Sequence, residues 1–163
     1  MLSTVATFVR GIAVCWACAL VLAFSTSAAL AAPQDDVPEA SVGTQVVDFA
    51  EQYVGTPYRF GGASPSGFDC TGFVMYVYSH FGVSLPHTEA GQLAGGPRVS
   101  ADHLQPGDVL VFANTYRSGL SHTGIYVGGG QFVHAANERH GVMVSALDGY
   151  WGPRLVGAAR AIS

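Results

Sequence analysis

Residues 67–73 read Gly-Phe-Asp-Cys-Thr-Gly-Phe, and the rest of the chain is arranged around this stretch. Asp69 takes the N-cap position of a helix, so its carboxylate can accept hydrogen bonds from the free amides of the first turn. Apolar residues then recur at the spacing of one helical face: Cys70, Phe73, Val74, Val77, Tyr78 and Phe81. Gly82 indicates where this helix ends. The pattern predicts a helix whose first residue is Cys70.

The thiol of Cys70 lies at the positive end of this predicted helix. Unpaired N–H groups and the helix dipole lower the pKa of a thiol there, which favours the reactive thiolate. The neighbouring carboxylate of Asp69 acts in the opposite direction, because it disfavours a second negative charge. A cationic partner would settle this balance, and His122 and His134 are the candidates.

The N-terminal segment has the features of a secretory signal peptide. Arg10 is the only charged residue before Asp35, and Gly11 to Phe24 is an apolar run too short to span a bilayer comfortably. A small-x-small cleavage pattern ends at Ala31. We therefore expect removal of residues 1–31, export to the cell envelope or the medium, and no stable membrane insertion. An uncleaved anchor is the alternative.

The remainder of the chain suits one domain with a sizeable core. Residues 32–40 are predicted to be a disordered leader, and residues 41–163 the folded domain. One of the seven basic residues lies in the signal peptide, which leaves six arginines against eleven acidic residues. This balance excludes a nucleic-acid or anionic-membrane footprint. The mature chain holds one cysteine, which is either buried and inert or kept for its reactivity.

Helices precede strands along the chain. The first helix begins at Ser41 and ends by Gly55, the second begins at Cys70, and a third covers Glu89 to Leu93 behind a Thr88 cap. Five apolar or alternating runs separated by turn residues follow: Asp108–Ala113, His122–Val127, Gln131–Ala136, Val142–Leu147 and Leu155–Ile162. This order predicts an α+β domain with a mostly antiparallel sheet of five to six strands.

The loop between two predicted strands decides whether His122 and His134 meet. A two-residue loop would put His134 on the far side of the sheet, since a slip of one residue reverses a strand. A three-residue loop over residues 128–130 pairs Gly124 with His134. It leaves the two histidines diagonal on the face beside Cys70, with their Cα atoms about 7 to 8 Å apart. The three glycines permit either loop, and a catalytic function predicts the longer one.

If the histidines meet, the chain offers a nucleophile, a base and an orienting group. Cys70 would pass its proton to His122, and His134 would accept from the other ring nitrogen of His122 and fix its tautomer. The amide of Cys70 and the hydroxyl of Tyr58 are the nearest oxyanion donors. Ser121 could contact substrate or simply end a loop.

Each of these residues has a simpler interpretation. A cysteine on the core stripe of a helix is often only buried, and a single strand histidine is more often structural. Zinc binding by Cys70, His122 and His134 is a further alternative, although no clustered ligand pair supports it. No metal or cofactor is predicted. Four histidines at helix ends or in loops are interpreted as surface residues: His80, His87, His103 and His140.

Five blocks of sequence resemble, in order and spacing, the signature of the NlpC-type cysteine peptidases of bacterial cell walls. They are residues 57–62, 68–73, 104–108, 121–128 and 132–135. The likeness covers Ser41 to Ile162. It implies a papain-like core, in which the nucleophile opens a helix packed on an antiparallel sheet. It also implies hydrolysis of the bond between D-glutamate and the diamino acid in peptidoglycan stem peptides, where several members require a free N-terminal L-alanine.

The resemblance also implies residue roles. Cys70 corresponds to the nucleophile, His122 to the base, His134 to the orienting residue and Tyr58 to an oxyanion donor. Asp69 resembles the carboxylate that lines the amino-terminal side of the substrate, where a negative group suits an ammonium. We therefore expect a secreted, monomeric peptidase whose partners are stem peptides.

Two positions depart from the common pattern of these peptidases. Thr71 stands where serine is usual, and His87 replaces an arginine often found after Leu-Pro. We expect a bare catalytic domain without an accessory wall-binding module. Two rival functions remain open: a catalytically silent peptidoglycan-binding or scaffolding protein, and an amidase or acyltransferase that uses the same acyl-enzyme chemistry.

Overall fold

The computed structural model describes residues 40–163, so the predicted signal peptide and most of the predicted leader lie outside the described residues. The described chain has three α-helices: α1 (Val42–Glu51), α2 (Cys70–His80) and α3 (Glu89–Leu93). It has eight strands: β1 (Ala63–Ser64), β2 (Gly67–Phe68), β3 (Arg98–Val99), β4 (Val109–Ala113), β5 (Leu120–Gly128), β6 (Gln131–Asn137), β7 (Gly141–Ala146) and β8 (Leu155–Ala159). No helix within residues 40–163 combines the length and the apolar character needed to cross a membrane.

The three helices begin directly after the side chains that cap them, Ser41, Asp69 and Thr88. The caps of α2 and α3 are those predicted, whereas Ser41 was predicted as the first residue of α1 and is its cap. The cap of α2 is a hydrogen bond of 2.7 Å from the backbone N–H of Gly72 to the carboxylate of Asp69. Helix α1 ends at Glu51, four residues before the predicted end, because the chain turns and Gly55 donates its N–H to strand β7.

Six strands form one sheet in the order β3-β8-β4-β5-β6-β7, and every neighbouring pair is antiparallel. The predicted α+β class and the strand number are confirmed. Three strands of two residues were not predicted: β3 at the sheet edge, and the small hairpin of β1 and β2 that leads into α2. Two residues are too few to show the alternation by which a strand is recognised.

The sheet has an apolar cluster on each face. Helices α1 and α2 cover one face, where their buried side chains meet those of the central strands, among them Val46, Phe73, Val77, Val111, Ile125 and Val133. A smaller cluster on the other face contains Leu110, Phe112, Phe132 and Ala158, and the ring of Trp151 packs against it. Because successive strand residues alternate between faces, the register of each strand decides which cluster a side chain joins.

The hairpin of β5 and β6 has the predicted register but not the predicted loop. The turn holds two residues, Gly129 and Gly130, with the positive φ angles of 58° and 72° that a two-residue hairpin turn requires. Gly128 pairs with Gln131, and Val127 then forms a bulge that adds one residue to β5. Beyond the bulge the strands therefore pair as a three-residue loop would pair them. The prediction of the loop was wrong, and the predicted register is confirmed.

Gly124 of β5 lies against β6 with no room for a side chain. A Cβ atom there would stand 2.8 Å from the carbonyl oxygen of Val133 and 3.0 Å from the Cβ of His134. We expect Gly124→Ala to lower the free energy of unfolding by about 1 to 3 kcal/mol through overpacking. Alanine in a strand otherwise stabilises by about 0.5 to 1 kcal/mol relative to glycine. A loss of stability in Gly124→Ala would therefore indicate overpacking.

Urea unfolding monitored by circular dichroism measures this effect. The matched control is Gly157→Ala in β8, where a Cβ would meet the flexible guanidinium end of Arg98, which can move aside. That variant should match the stability of the parent protein or exceed it by up to about 0.5 to 1 kcal/mol. Equal stability of the two variants would contradict a close approach of β5 and β6 at Gly124.

Candidate active site

Cys70 is the first residue of α2 and meets strand β5 where its pairing with β6 has ended. The two strands pair as far as Ile125 and Val133. Just beyond that point, the backbone N–H of Thr123 donates to the sulfur of Cys70, and the N–H of Thr71 in the first helical turn donates as well. The thiol is therefore held beside the peptide bond that joins His122 to Thr123. Only 4% of Cys70 is exposed.

The two histidines meet, as the sequence predicts. The Nε2 atom of His122 lies 2.6 Å from the Nδ1 atom of His134, and the two rings are nearly perpendicular. Both residues are buried, with 2% and 0% exposure. The Nε2 atom of His134 lies 2.9 Å from the hydroxyl oxygen of Ser145 on β7. The Nδ1 atom of His122 takes no part in these two contacts.

The face of the sheet that carries the histidines differs from the expected one. His122 and His134 share a face with Phe112 and Phe132, whereas α2 packs on the opposite face. The expectation that the histidines lie on the face beside α2 was wrong. The thiol still reaches β5, because the paired part of β5 and β6 ends at Ile125 and Val133. The N-terminus of α2 contacts β5 just beyond that point, at the amide of Thr123.

An aromatic ring closes the outer side of the histidine pair. The indole of Trp151 lies 4.9 Å from the ring of His122 and 5.0 Å from that of His134, measured between centroids. Phe132 packs on His134 at 4.4 Å. Sequence reasoning gave Trp151 no role, because it lies in an irregular segment before β8 where no periodic pattern indicates what it covers.

Burial sets the protonation of the thiol and the imidazoles in the substrate-free protein. Burial raises the pKa of Cys70 to about 12, with the carboxylates of Asp69 and Glu89 acting in the same direction. Burial also lowers the pKa of His122 to about 4, and it lowers that of His134 well below the ordinary value. The free site therefore holds a neutral thiol beside neutral imidazoles. The pKa of the thiol is therefore raised and not lowered as expected, because the cost of desolvating the thiolate outweighs the effect of the helix N-terminus.

Tyr58 lines the approach to the thiol. A backbone bridge to Phe68 fixes its segment next to the start of α2. Burial raises the pKa of Tyr58 to about 12, and the neighbouring Cys70 and the carboxylate of Asp69 add to the rise. The phenol consequently keeps its proton at neutral pH and is available as a hydrogen-bond donor.

A cleft of about 820 Å³ opens beside these residues, a volume in the usual range of ligand pockets. Its aromatic rim includes Phe60 and Tyr116, whose exposed fractions of 83% and 62% are large for apolar side chains. The lining residues are Tyr58, Phe60, Tyr116, His122, Ala136, Asn137, Glu138, Arg139 and His140. The buried histidine pair is thus reached from solvent through His122.

Asp69 ties the glycine-rich segment to α2. Its carboxylate accepts from the N–H of Gly61 at 2.9 Å, from Gly72 and from the hydroxyl of Thr71. It also lies 2.9 Å from the Nε2 atom of His87. His87 is at the surface, as expected, but sequence reasoning missed this contact. The available signal was its position after Leu-Pro, where the resemblance expects another basic residue.

Ser121 does not face the cleft. It is fully buried, and its hydroxyl oxygen accepts from the N–H of Thr115 at 3.0 Å and lies 2.8 Å from the hydroxyl of Thr115. The structure therefore shows Ser121 fixing the loop between β4 and β5, and the contact of Ser121 with substrate stays a prediction. The alternative, that Ser121 serves the loop, agrees with these contacts.

Comparison with known proteins identifies the family. The model of the NlpC/P60 family matches residues 55–160, and the chain belongs to this family. It is 42% identical over 123 residues to a gamma-DL-glutamyl hydrolase of Bacillus subtilis, covering 74% of this chain and 30% of that protein. It is 45% identical over 112 residues to a probable endopeptidase p60 of Listeria grayi, covering 68% and 21%. The chain thus spans less than a third of the length of these relatives.

Solved structures share the fold. An NlpC/P60 family protein from Bacillus cereus superposes with a TM-score of 0.70 at 28% identity, over 74% of this chain and 40% of that protein. The NlpC/p60 domain of the peptidoglycan hydrolase SagA superposes with a TM-score of 0.64 at 34% identity, over 72% and 97%. The resemblance and the papain-like α+β core predicted from the sequence are confirmed.

Burial of a neutral His122 makes the stability of the protein depend on pH. The ordinary pKa of 6.5 applies to the unfolded chain, whereas the folded protein holds the pKa at about 4. Between these values the unfolded state binds more protons. The free energy of unfolding should therefore fall as the pH drops from 6.5 to 4, by on the order of 3 kcal/mol for this residue. Urea unfolding at a series of pH values measures the slope.

Two variants test the assignment of this slope. His122→Gln removes the titrating group and should flatten the dependence, although His134 leaves a residual slope of the same sign. His103→Gln is the matched control, because 76% of the His103 side chain is exposed, and it should leave the slope unchanged. A slope in His122→Gln equal to that of the parent protein would rule out His122 as its source.

Proposed function

We propose that this protein is a cysteine endopeptidase that hydrolyses peptidoglycan stem peptides at the bond between D-glutamate and the diamino acid. The observation that carries the proposal is the contact of 2.6 Å between His122 and His134, next to a thiol held by the amide of Thr123. A catalytically silent binding protein has no physical need for a buried pair of imidazoles beside a buried thiol, since burying such groups costs stability.

The first step is the attack of Cys70 on the carbonyl carbon of the scissile bond. The pKa values of the free site favour a neutral thiol, so the proton passes from sulfur to the Nδ1 atom of His122 as the new bond forms. His134 accepts a hydrogen bond from the Nε2 atom of the resulting imidazolium and orients it. The imidazolium then protonates the departing amine, which leaves a thioester on Cys70.

Water resolves the thioester in the second step. His122 takes a proton from the water, whose oxygen attacks the acyl carbon, and the thiolate leaves and recovers its proton from His122. In both steps negative charge develops on the carbonyl oxygen. The backbone N–H of Cys70 and the hydroxyl of Tyr58 are the proposed donors to it, and the raised pKa of Tyr58 keeps that hydroxyl protonated.

Relatives support the substrate class and the location. One similar protein is named gamma-DL-glutamyl hydrolase, others are named probable endopeptidase p60, and a similar domain comes from a protein named a peptidoglycan hydrolase. By this likeness we propose that the protein acts outside the cytoplasmic membrane, in the cell envelope or beyond it, after removal of residues 1–31.

The decisive experiment uses residues 41–163 and a synthetic stem peptide of defined sequence, with mass spectrometry of the fragments. Release of a dipeptide ending in D-glutamate supports the proposal. A second substrate, the same peptide joined through its N-terminus to the sugar, tests the amidase, which would cleave that amide. Transfer of the acyl group to an added amine would favour the acyltransferase. Binding without any product would favour the silent scaffold.

Cys70→Ala should abolish hydrolysis while the far-ultraviolet circular dichroism spectrum stays unchanged. Cys70→Ser should retain little activity, because the pKa of a hydroxyl is too high for His122 to deprotonate it efficiently. Initial rates on the stem peptide measure both variants. Full activity of Cys70→Ala, or activity that chelators remove and zinc restores, would replace the thiol mechanism with a metal-dependent one.

Asp69 is the proposed partner of a free amino group on the substrate. A stem peptide with an acetylated N-terminus should be cleaved with a kcat/KM about 10-fold or more below that of the free amine, the size expected for one charge-assisted hydrogen bond. The matched control is the N-methylated peptide, which keeps the positive charge and should lose much less. Equal cleavage of the acetylated and free peptides would remove this role from Asp69.

A further inference from the structure

A continuous line of hydrogen-bond contacts runs from the centre of the sheet to strand β7. The Nε2 atom of His122 contacts the Nδ1 atom of His134 at 2.6 Å, and the Nε2 atom of His134 contacts the hydroxyl oxygen of Ser145 at 2.9 Å. Both nitrogens of His134 are therefore engaged. Sequence reasoning assigned Ser145 no role, because a serine in a predicted strand carries no signal of its own.

The chemistry of a neutral imidazole links the two contacts. One of its nitrogens donates a hydrogen bond and the other accepts one. When His122 carries the proton of the thiol, both its nitrogens are donors, so Nδ1 of His134 must accept. A neutral His134 then has its proton on Nε2, and the oxygen of Ser145 must accept that hydrogen bond. The direction of every bond in the line is fixed in this state.

We propose that Ser145 is a positioning residue that accepts a hydrogen bond from His134 and thereby holds His122 in the tautomer whose Nδ1 is free to take the proton of Cys70. If Ser145 donated to His134 and His134 donated to His122, Nδ1 of His122 would carry a proton and could not act as the base. The inference rests on the proposed function for its kinetic consequences. The histidine tautomers that it predicts do not depend on that function.

The surroundings of the line favour this direction. Ser145 is half-buried, so its own O–H can donate outward to solvent while its lone pairs face His134. The rings of Phe132 and Trp151 pack around His134 and offer it no alternative acceptor. The titratable group that acts on His134 is His122. The pairing of Ser145 with Phe132 across β6 and β7 fixes the hydroxyl diagonally next to His134.

The test compares Ser145→Val with Ser145→Thr. The two substitutes have nearly the same shape and both suit a strand, but only threonine keeps the hydroxyl. Ser145→Val should lower kcat on the stem peptide about 3- to 10-fold, the size of one net hydrogen bond, with KM unchanged. Ser145→Thr should stay within about 2-fold of the parent protein, by the same reasoning. Equal kcat values for the two variants would overturn the proposal.

The pH profile and the tautomer give two further measurements. The imidazolium of His122 loses support in Ser145→Val, so the acid limb of the kcat profile, where His122 takes up a proton, should move to lower pH, whereas in Ser145→Thr it should not move. Nitrogen-15 NMR of the imidazoles should show protonated Nε2 and unprotonated Nδ1 for both histidines in the parent protein and in Ser145→Thr. Ser145→Val should show a mixture of tautomers.

The NMR result separates this inference from the proposed function. If the parent protein cleaves no stem peptide but shows these tautomers and loses them in Ser145→Val, the positioning role holds and the proposed function fails. If His122 carries its proton on Nδ1 in the parent protein, or if Ser145→Val leaves both tautomers unchanged, the positioning role is overturned, whatever the activity.

Discussion

The hydrogen bond between His122 and His134 depends on one extra residue in a strand. Without the bulge at Val127, the two-residue turn would shift the pairing by one position and turn His134 to the opposite face of the sheet. Gly124, which has no side chain, then allows β6 to approach closely enough for the two imidazole rings to contact each other. The two histidines thus form a site only because the register of β5 and β6 brings them to the same face of the sheet.

Desolvation is the second constraint on the site. Burial keeps both the thiol and the imidazoles neutral, so the free protein does not hold a stable pair of opposite charges there. Charge separation is then confined to the moment at which the substrate is attacked, when the oxyanion and the imidazolium form together. A buried thiol that stays protonated is also less open to oxidation, which agrees with the proposed action outside the cytoplasmic membrane.

Local signals in the sequence predicted the helix caps, the five long strands and the meeting of the histidines, because each depends on residues close in the chain. The face that carries the histidines was predicted wrongly, since it depends on where the β5 and β6 ladder ends, a property of the curved sheet as a whole. The contacts of His87 with Asp69 and of Ser145 with His134 join segments 18 and 11 residues apart. No periodicity links such pairs, so only the folded chain could show them.

The ring of Trp151 does more than exclude solvent. An indole carries a quadrupole whose negative face attracts a cation, and this attraction strengthens when water is absent. The indole lies 4.9 Å from the ring of His122 and only 33° from parallel to it, so its face is turned toward that imidazole. In the resting protein this contact is one between two neutral rings. When His122 takes up a proton in the proposed mechanism, the same contact becomes a cation–π interaction that offsets part of the lost hydration.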